Sequence, residues 1–327
     1  MFNATTQKIL STMAAGQFCS GEELGQLCGI SRAAIGKHIQ ALQQLGLDIY
    51  SVTGKGYRLA TPITLLQQGE ISRLLGDNIE HQVAVETVVG STNELIKDKI
   101  KQGELISAAS GYTVFAEAQT AGRGRRGRTW ASPLGASLYF SMHWRFEQGI
   151  SATMGLSLAV GIALSEALVE LGVNELGLKW PNDVYYQGRK LAGILIELEG
   201  QGSDSCDIVI GVGINVQLPD SVTEQIDQPF ADLAQTGINL DRNVIAATIL
   251  RHLMQVMNTF EQRGFSAFVE RWNVVDCFVG TPVNLLIGQR TISGISRGVD
   301  AQGGIVVESD GEQQTYYGGE ISLRKQQ

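Results

Sequence analysis

The chain has 327 residues, 43% hydrophobic and 18% charged, with a formal net charge of −8. That length supplies two or three domains with a full-sized core, and with no internal repeat or low-complexity tract it excludes solenoid and disordered architectures. Cys19, Cys28, Cys206 and Cys277 are widely scattered, without a Cys-x-x-Cys pair or a histidine at ligand spacing. This excludes a zinc module and predicts reduced, mostly buried thiols.

The net charge hides a division. Residues 1–60 carry 5 Lys+Arg against 3 Asp+Glu, net +2, and the remaining residues carry 20 against 30, net −10. A polyanionic partner is therefore expected at the front. No basic, apolar, small-residue leader opens the sequence, and the apolar region 152–171 is interrupted by Ser157, Ser165, Glu166 and Glu170. The expectation is a buried core helix in a cytoplasmic protein, with no membrane span.

Residues 1–60 read as three short helices, 5–15, 21–28 and 31–45, followed by a hairpin from 47–53 and 57–59 with a basic tip at Lys55. Ser31 is placed as an N-cap. Ile35, Ile39 and Leu42 recur on one face of the third helix, leaving Arg32, Lys37 and His38 outward as candidate DNA-reading residues. Gly25, Gly29 and Ile30 stand where a helix-turn-helix needs close contact and a tight turn. The pattern resembles a winged helix-turn-helix, with a small protein-contact module as the alternative. Gly36 inside the third helix costs about 1 kcal/mol relative to alanine, to be offset by packing or used for close approach. One such unit makes few phosphate contacts, so a homodimer on two half-sites is expected.

Thr61-Pro62 marks a boundary, and 70–75 is a short linking helix. A strand at 83–88 leads through Ser91, Thr92 and Asn93 into a helix ending near 101. The two hydroxyls and the amide serve as a cap or as ligands for a small polar molecule. Strands at 112–119 and 137–144 flank the run Gly-Arg-Gly-Arg-Arg-Gly-Arg at 122–128, followed by Thr129 and Trp130. Four guanidinium groups so close repel one another, glycine lets backbone N–H groups approach a ligand, and arginine fits carboxylate or phosphate bidentately. A mobile anion-binding loop is expected. On composition alone a disordered nucleic-acid tail is the alternative, but a loop fixed between two strands reads as a site.

Farther on, Lys179-Trp180-Pro181-Asn182-Asp183 ends a strand at a sharp turn, and strands at 184–186 and 189–198 flank a hairpin at Gln187-Gly188. Simple alternation puts Lys190 on the face of Ala192, Ile194, Ile196 and Leu198. There it either snorkels to water or is held over a site to receive an anion. A strand at 207–216 carries Gly211, Gly213 and Asn215, leaving room for something to approach its backbone. Residues 217–233, with Pro219, Pro229 and Phe230, form a long loop and candidate lid. Helices at 241–263 and 265–272 follow, then short β runs at 283–287, 291–296, 304–308 and 314–317 that suggest a small barrel.

No Ser-His-Asp or Cys-His arrangement is present, so the middle site is electrostatic. Its groups suit the activation of a carboxylate by ATP, in which Arg123, Arg125, Lys190 and a magnesium ion offset the repulsion between carboxylate and phosphate. That repulsion is about 4 kcal/mol for unit charges roughly 4 Å apart at an effective dielectric near 20.

Ser91-Thr92-Asn93, the stretch from Gln119 through 122–128 to Trp130, the Lys179 to Asp183 turn, Arg189-Lys190-Leu191-Ala192-Gly193-Ile194-Leu195 and Gly211-Val212-Gly213-Ile214-Asn215 together resemble biotin-protein ligases. With the helix-turn-helix in front, the chain resembles the bifunctional type that also represses transcription. The resemblance implies an α+β fold: a winged helix-turn-helix at 1–65, a mixed-sheet class II ligase domain at 66–275 and an SH3-like barrel at 276–327. It implies synthesis of biotinyl-5'-AMP from biotin and ATP with Mg2+, then transfer to a lysine of the biotin carboxyl carrier protein of acetyl-CoA carboxylase. It also implies repression at an operator by a homodimer carrying biotinyl-AMP.

By motif, Ser91, Thr92, Asn93, Gln119, Arg123, Gly124, Arg125 and Lys190 face biotin or its activated carboxyl, with Lys190, Arg123 and Arg125 catalytic. Trp130 stacks on adenine, Asn182, Asp183 and Asn215 lie near nucleotide or metal, and Phe230 covers the adenylate. Glu320 and Arg324 are further carry-overs, and the metal ligands stay unassigned. DNA contacts fall to Ser31, Arg32, Lys37, His38 and Lys55. The alternative functions are a metabolite-sensing repressor without ligase activity, which leaves Lys190 and the Asn182-Asp183 turn without work, and a lipoate or octanoyl transferase, for which the arginine loop is the wrong fingerprint.

Overall fold

Local chemistry sets the first helices of the computed structural model, which describes residues 2–76, 82–105, 110–199, 205–224, 226–239, 241–318 and 321–325. The Asn3 side chain accepts from the Thr6 N–H and starts α1 (Ala4–Met13), and Ser20 with Glu23 closes a capping box on α2 (Gly21–Cys28). That helix stops at Gly29, whose φ of 67° is left-handed. Helix α3 (Arg32–Gln44) begins at Ser31, which accepts from the Ala34 N–H. A side chain at Gly25 would meet the Ile30 carbonyl at 2.8 Å, so close contact at the turn requires glycine.

Ile35, Ile39 and Leu42 pack on Ile9, Leu10, Met13 and Leu24, as the periodicity predicts. Around Gly36 the space is open, so no neighbour among the described residues uses its small size. Strands β1 (Ile49–Val52) and β2 (Gly56–Leu59) form the hairpin, shorter than expected because Leu47 turns into the helical core.

Helix α4 (Gln68–Leu75) links to a seven-stranded mixed sheet. Its strands are β3 (Val83–Val89), β4 (Thr113–Gln119), β5 (Ser137–Phe146), β6 (Leu176–Lys179), β7 (Asp183–Tyr186), β8 (Arg189–Glu199) and β9 (Cys206–Asn215). The spatial order is β3-β4-β5-β9-β8-β7-β6, parallel only between β3 and β4. Helix α5 (Thr92–Lys101) covers one face. On the other, α6 (Leu156–Glu170) packs beneath the sheet and against α8 (Arg242–Arg263). Residues Ile150–Glu170 are long and apolar enough to cross a membrane, yet α6 is buried on nearly all sides, as a core helix is.

One expectation needs correction. The β7–β8 register shifts at Leu191, a bulge that puts two residues of β8 opposite one step of β7. Lys190 therefore shares the side of Gly193, against which its stem lies, while Ala192 and Ile194 are buried in the core. Residues 217–233, expected to be a long loop with a purpose, carry structure among the described residues. They hold α7 (Asp220–Thr223), and their last part runs beside β8, with Lys190 N–H donating to Pro229 O at 3.1 Å and Ala231 N–H donating to Lys190 O at 2.9 Å.

After α9 (Val269–Val275), strands β10 (Pro282–Ile287), β11 (Arg290–Val299), β12 (Ile305–Ser309), β13 (Glu312–Tyr316) and β14 (Ile321–Lys325) form an antiparallel sheet in the order β13-β12-β11-β10-β14. Strand β14 was not legible in the sequence. Val283, Leu285, Ile305, Val307 and Leu323 belong to the same apolar cluster as Trp180 and α6, so this sheet and the central one share a core. Of the four thiols only Cys206 is buried, and Cys277 is exposed, contrary to expectation.

Candidate functional site

Glycine placement makes the site. On the mixed sheet Gly193 of β8 sits opposite Gly213 of β9, and Leu195 opposite Gly211. These glycines leave a trough in an otherwise filled surface, part of a cavity of about 480 Å³. The Trp130 indole lies in it: a Cβ at Gly213 would meet Trp130 at 2.6 Å and one at Gly193 would meet it at 2.9 Å. The Trp130 Nε1–H is buried without a hydrogen-bond partner among the described residues.

At one end of the cavity Ser91, Thr92 and Asn93 are buried at the start of α5. Ser91 occupies the N-cap position without a side-chain capping bond, so its hydroxyl is not committed to the helix. Gln119 Oε1 accepts from the Thr92 N–H at 2.9 Å, and its amide nitrogen donates to Ser132 Oγ at 3.1 Å. Ser141 Oγ contacts both Thr92 Oγ1 at 2.7 Å and Asn93 Oδ1 at 2.5 Å, and Asn93 Nδ2 donates to Glu197 at 2.7 Å. Both side-chain amides of this end have a fixed orientation.

The arginine loop is held rather than free. Gly124 N–H donates to Arg128 O at 2.7 Å, Trp130 N–H donates to Gly122 O at 2.9 Å, and Arg126 adopts a φ of 59°. Arg123 bridges Glu94 and Glu197 at 2.5 Å each, and Arg125 donates to Asn182 Oδ1 at 2.9 Å. Burial pulls the Arg125 guanidinium below its usual value, opposed by Asp183. Carboxylates and an amide of the same chain thus supply part of what an incoming anion would give.

Lys190 Nζ pairs with Asp183 Oδ1 at 2.8 Å and stands 5.2 Å from the Trp130 ring centroid. Asn182 is fixed by its Nδ2 donating to Ile194 O at 2.9 Å, after a cis Trp180-Pro181 bond. The ammonium, the Arg125 guanidinium and the indole surround one space, where attraction for an anion is strengthened by partial exclusion of water.

Of the residues expected in the site, Ser91, Thr92, Asn93, Gln119, Arg123, Gly124, Arg125, Trp130, Asn182, Asp183, Lys190 and Arg324 all line this cavity. Asn215 and Phe230 do not: Asn215 is buried, donating to Ala231 O at 2.9 Å, and Phe230 meets Lys190 through a backbone bridge. Glu320 lies outside the described residues. Sequence reading missed Glu94, Ser141 and Glu197, and it named Lys179 within the turn motif without giving it a role. Glu197 was findable, since 193, 195 and 197 share one face of β8.

Among the described residues no group of three acidic, histidine or cysteine side chains could hold a metal ion. In the helix-turn-helix, Arg32, Lys37 and Lys55 are exposed. His38 is half-buried, with Nδ1 2.8 Å from Thr6 Oγ1, and the Ser31 hydroxyl is used in capping, so both have structural work. Arg58, which carries no helix-turn-helix signal in the sequence, stacks 4.9 Å from the Phe18 ring centroid.

A glycine-floored trough with converging cations, on a chain that begins with a helix-turn-helix, defines an acid-activating, nucleotide-using enzyme coupled to a DNA-binding unit. Family models agree: residues 85–215 match the Biotin/lipoate A/B protein ligase family, 5–58 an HTH domain, and 278–324 the Biotin protein ligase C terminal domain. The bifunctional ligase/repressor BirA of Escherichia coli is 48% identical over 322 residues, covering 98% of each chain, and that of Bacillus subtilis is 27% identical over 96% of each. Among solved structures, the biotin protein ligase of Aquifex aeolicus in complex with biotin and ATP is 30% identical with a TM-score of 0.63, over 75% of this chain and 99% of that one. The chain belongs to the biotin protein ligase family, in its bifunctional ligase/repressor type.

Proposed function

We propose that this chain activates biotin with ATP to biotinyl-5'-AMP and passes the biotinyl group to a lysine of a biotin carboxyl carrier protein. We further propose that the adenylate-loaded form represses transcription at an operator. The observation that carries the ligase half is the convergence of Lys190, Arg125 and Trp130 over the Gly193–Gly213 trough. The fixed amides of Asn93 and Gln119 with Ser91 suit a polar ring system at the α5 end, and Trp130 offers a π face to a base.

In the first step a biotin carboxylate oxygen attacks the α-phosphorus, and the electron pair of the broken P–O bond leaves with pyrophosphate. Lys190 and Arg125 neutralise the meeting anions and hold them in line. Magnesium is read as part of the substrate MgATP, its ligands supplied by phosphate oxygens and water. In the second step the carrier lysine's neutral amine attacks the carbonyl carbon of the mixed anhydride, the C–O bond to AMP breaks with its electron pair leaving on AMP, and the nitrogen gives up one proton to water as the amide forms.

The division of labour follows the limits 1–65 for a winged DNA-binding unit, 66–275 for ligation and 276–327 for an SH3-like closing unit, in a cytoplasmic protein. Lys37, Arg32 and Lys55 would meet operator phosphates or bases. Further fastening of the arginine loop and of the 217–233 lid by the adenylate would favour a homodimer that sets two helix-turn-helix units on one site. Biotin-dependent exchange of labelled pyrophosphate into ATP, followed by transfer to a carrier domain, tests the ligase. No exchange would leave a sensor only. Sedimentation with and without biotinyl-AMP tests the switch, and equal dimer affinity would end it.

A further inference from the structure

A second cavity, of about 1030 Å³, lies where the helix-turn-helix unit meets the rest of the chain, walled by the end of α3 and the start of β1 on one side and by residues 216–221 and the start of α8 on the other. Four aspartates line it: Asp48 just before β1, Asp220 opening α7, Asp232 late in the 217–233 segment and Asp241 at the N-cap of α8. Among the described residues none of the four is in an ion pair, and the one cation of the lining, Arg242, is taken by Glu117. Asp48 accepts from the Ser221 hydroxyl at 2.9 Å, and Asp241 accepts from the Asn243 N–H at 3.0 Å. Asp232 is 7% exposed. Its Oδ2 accepts from the Leu218 N–H at 3.0 Å, while its Oδ1 is buried with no hydrogen-bond partner among the described residues. A buried carboxylate oxygen without a donor costs free energy that a bound donor recovers.

These carboxylates do not gather, since among the described residues no three acidic side chains could hold a metal ion. Spread over the wall, they give a single ion at most two partners, whereas a flexible chain with positive charges spaced along it meets several. A concave acidic lining also raises the local concentration of such a cation. We propose that this cavity binds an aliphatic compound bearing two or more ammonium groups, one of which donates to Asp232 Oδ1 while another meets Asp48. An ammonium has three N–H donors and no acceptor, which suits an oxygen that lacks a donor. Asp48 belongs to the helix-turn-helix unit, and Asp220, Asp232 and Asp241 belong to the unit behind it, so the bound compound joins the two and replaces repulsion between their carboxylates by attraction to a shared cation. No residue lines both this cavity and the Gly193–Gly213 trough, so the site stands apart from the ligase reading.

The test is calorimetric titration of the full chain with spermidine, in the absence of biotin, ATP and DNA. One saturable site is expected, and spermidine should raise the melting temperature more than sodium chloride of the same ionic strength does. Asp232→Asn keeps an acceptor for the Leu218 N–H but loses the charge, and should weaken binding about 10- to 100-fold, as expected for losing a hydrogen bond between charged partners. Asp48→Asn, half-buried on the other unit, should weaken it several-fold, less than at Asp232 because solvent screens the charge. Its amide oxygen still accepts from Ser221, so this variant decides the matter if Asp232→Asn does not fold. Heat that never saturates, or a melting temperature raised equally by sodium chloride, marks general screening and overturns the proposal. So does full competition by magnesium chloride at equal charge, which marks an ion site, or unchanged affinity in either folded variant, which puts spermidine elsewhere on the molecule.

Discussion

Trp130 lies on the backbone of Gly213 so closely that an added methyl group would meet the indole nitrogen at 2.6 Å. Gly213 pairs with Gly193 across β8 and β9, so rigid sheet backbone forms the floor and cannot yield. Gly213→Ala should therefore displace the indole from the trough. We expect the KM for ATP to rise at least tenfold in pyrophosphate exchange, with a shifted tryptophan emission and little change in melting temperature. Unchanged emission and KM would place the indole elsewhere in solution.

Lys190 is positioned by the bulge at Leu191 and by its 2.8 Å pair with Asp183. Removing one preorganised donor from a developing negative charge typically costs about 10² to 10³ in rate. Lys190→Ala should lower single-turnover adenylation by at least 100-fold and leave the far-ultraviolet circular dichroism intact. Near-normal adenylation would exclude it from the chemistry.

Glu197 joins Arg123 and Asn93, and its Oε1 lies 3.5 Å from Lys97. It fixes both the arginine loop and the amide end of the cavity. In Glu197→Gln the loop keeps only the Glu94 half of its anchor, and trypsin should cut at 123–128 several-fold faster. Biotin with ATP should restore protection, because the ligand's anions then replace the missing carboxylate. Equal cutting rates without ligand would show that this pair does not order the loop.

Glu117 and Arg242 form a buried pair at 2.5 Å, 4% and 2% exposed, in which Glu117 also accepts from the Leu66 N–H and Arg242 donates to Ser137 O at 2.7 Å. Leaving one charge unpaired in such a place costs about 3–5 kcal/mol. Arg242→Met should lower the urea midpoint accordingly, whereas Glu117→Gln with Arg242→Met should recover part of the loss. A midpoint unchanged in the single variant would contradict the geometry.

Lys37 and Lys55 are exposed on the third helix and the hairpin tip. Replacing both with alanine should weaken operator binding and reduce the slope of log K against log salt by about 0.9 for each phosphate that is no longer neutralised. Ligation, carried out at the separate trough, should be unchanged. An unaltered slope would move DNA recognition to other residues.

The sequence by itself determined the order of most elements, though not α7 or β14, the helix-turn-helix core of Ile35, Ile39 and Leu42, and the site motifs. These follow from periodicity, capping and backbone demands that act within a few residues. Tertiary structure alone decided the partners. Glu197 and Arg123, 74 residues apart, meet only because β8 lies beside the loop, and Glu117 finds Arg242 only when α8 packs behind the sheet. It also overrode simple alternation at Lys190, since one extra residue in β8 turns that side chain toward the trough. Local propensity fixes where a strand lies, but the face presented at a bulge and the partner of a buried charge are set by groups distant in the chain.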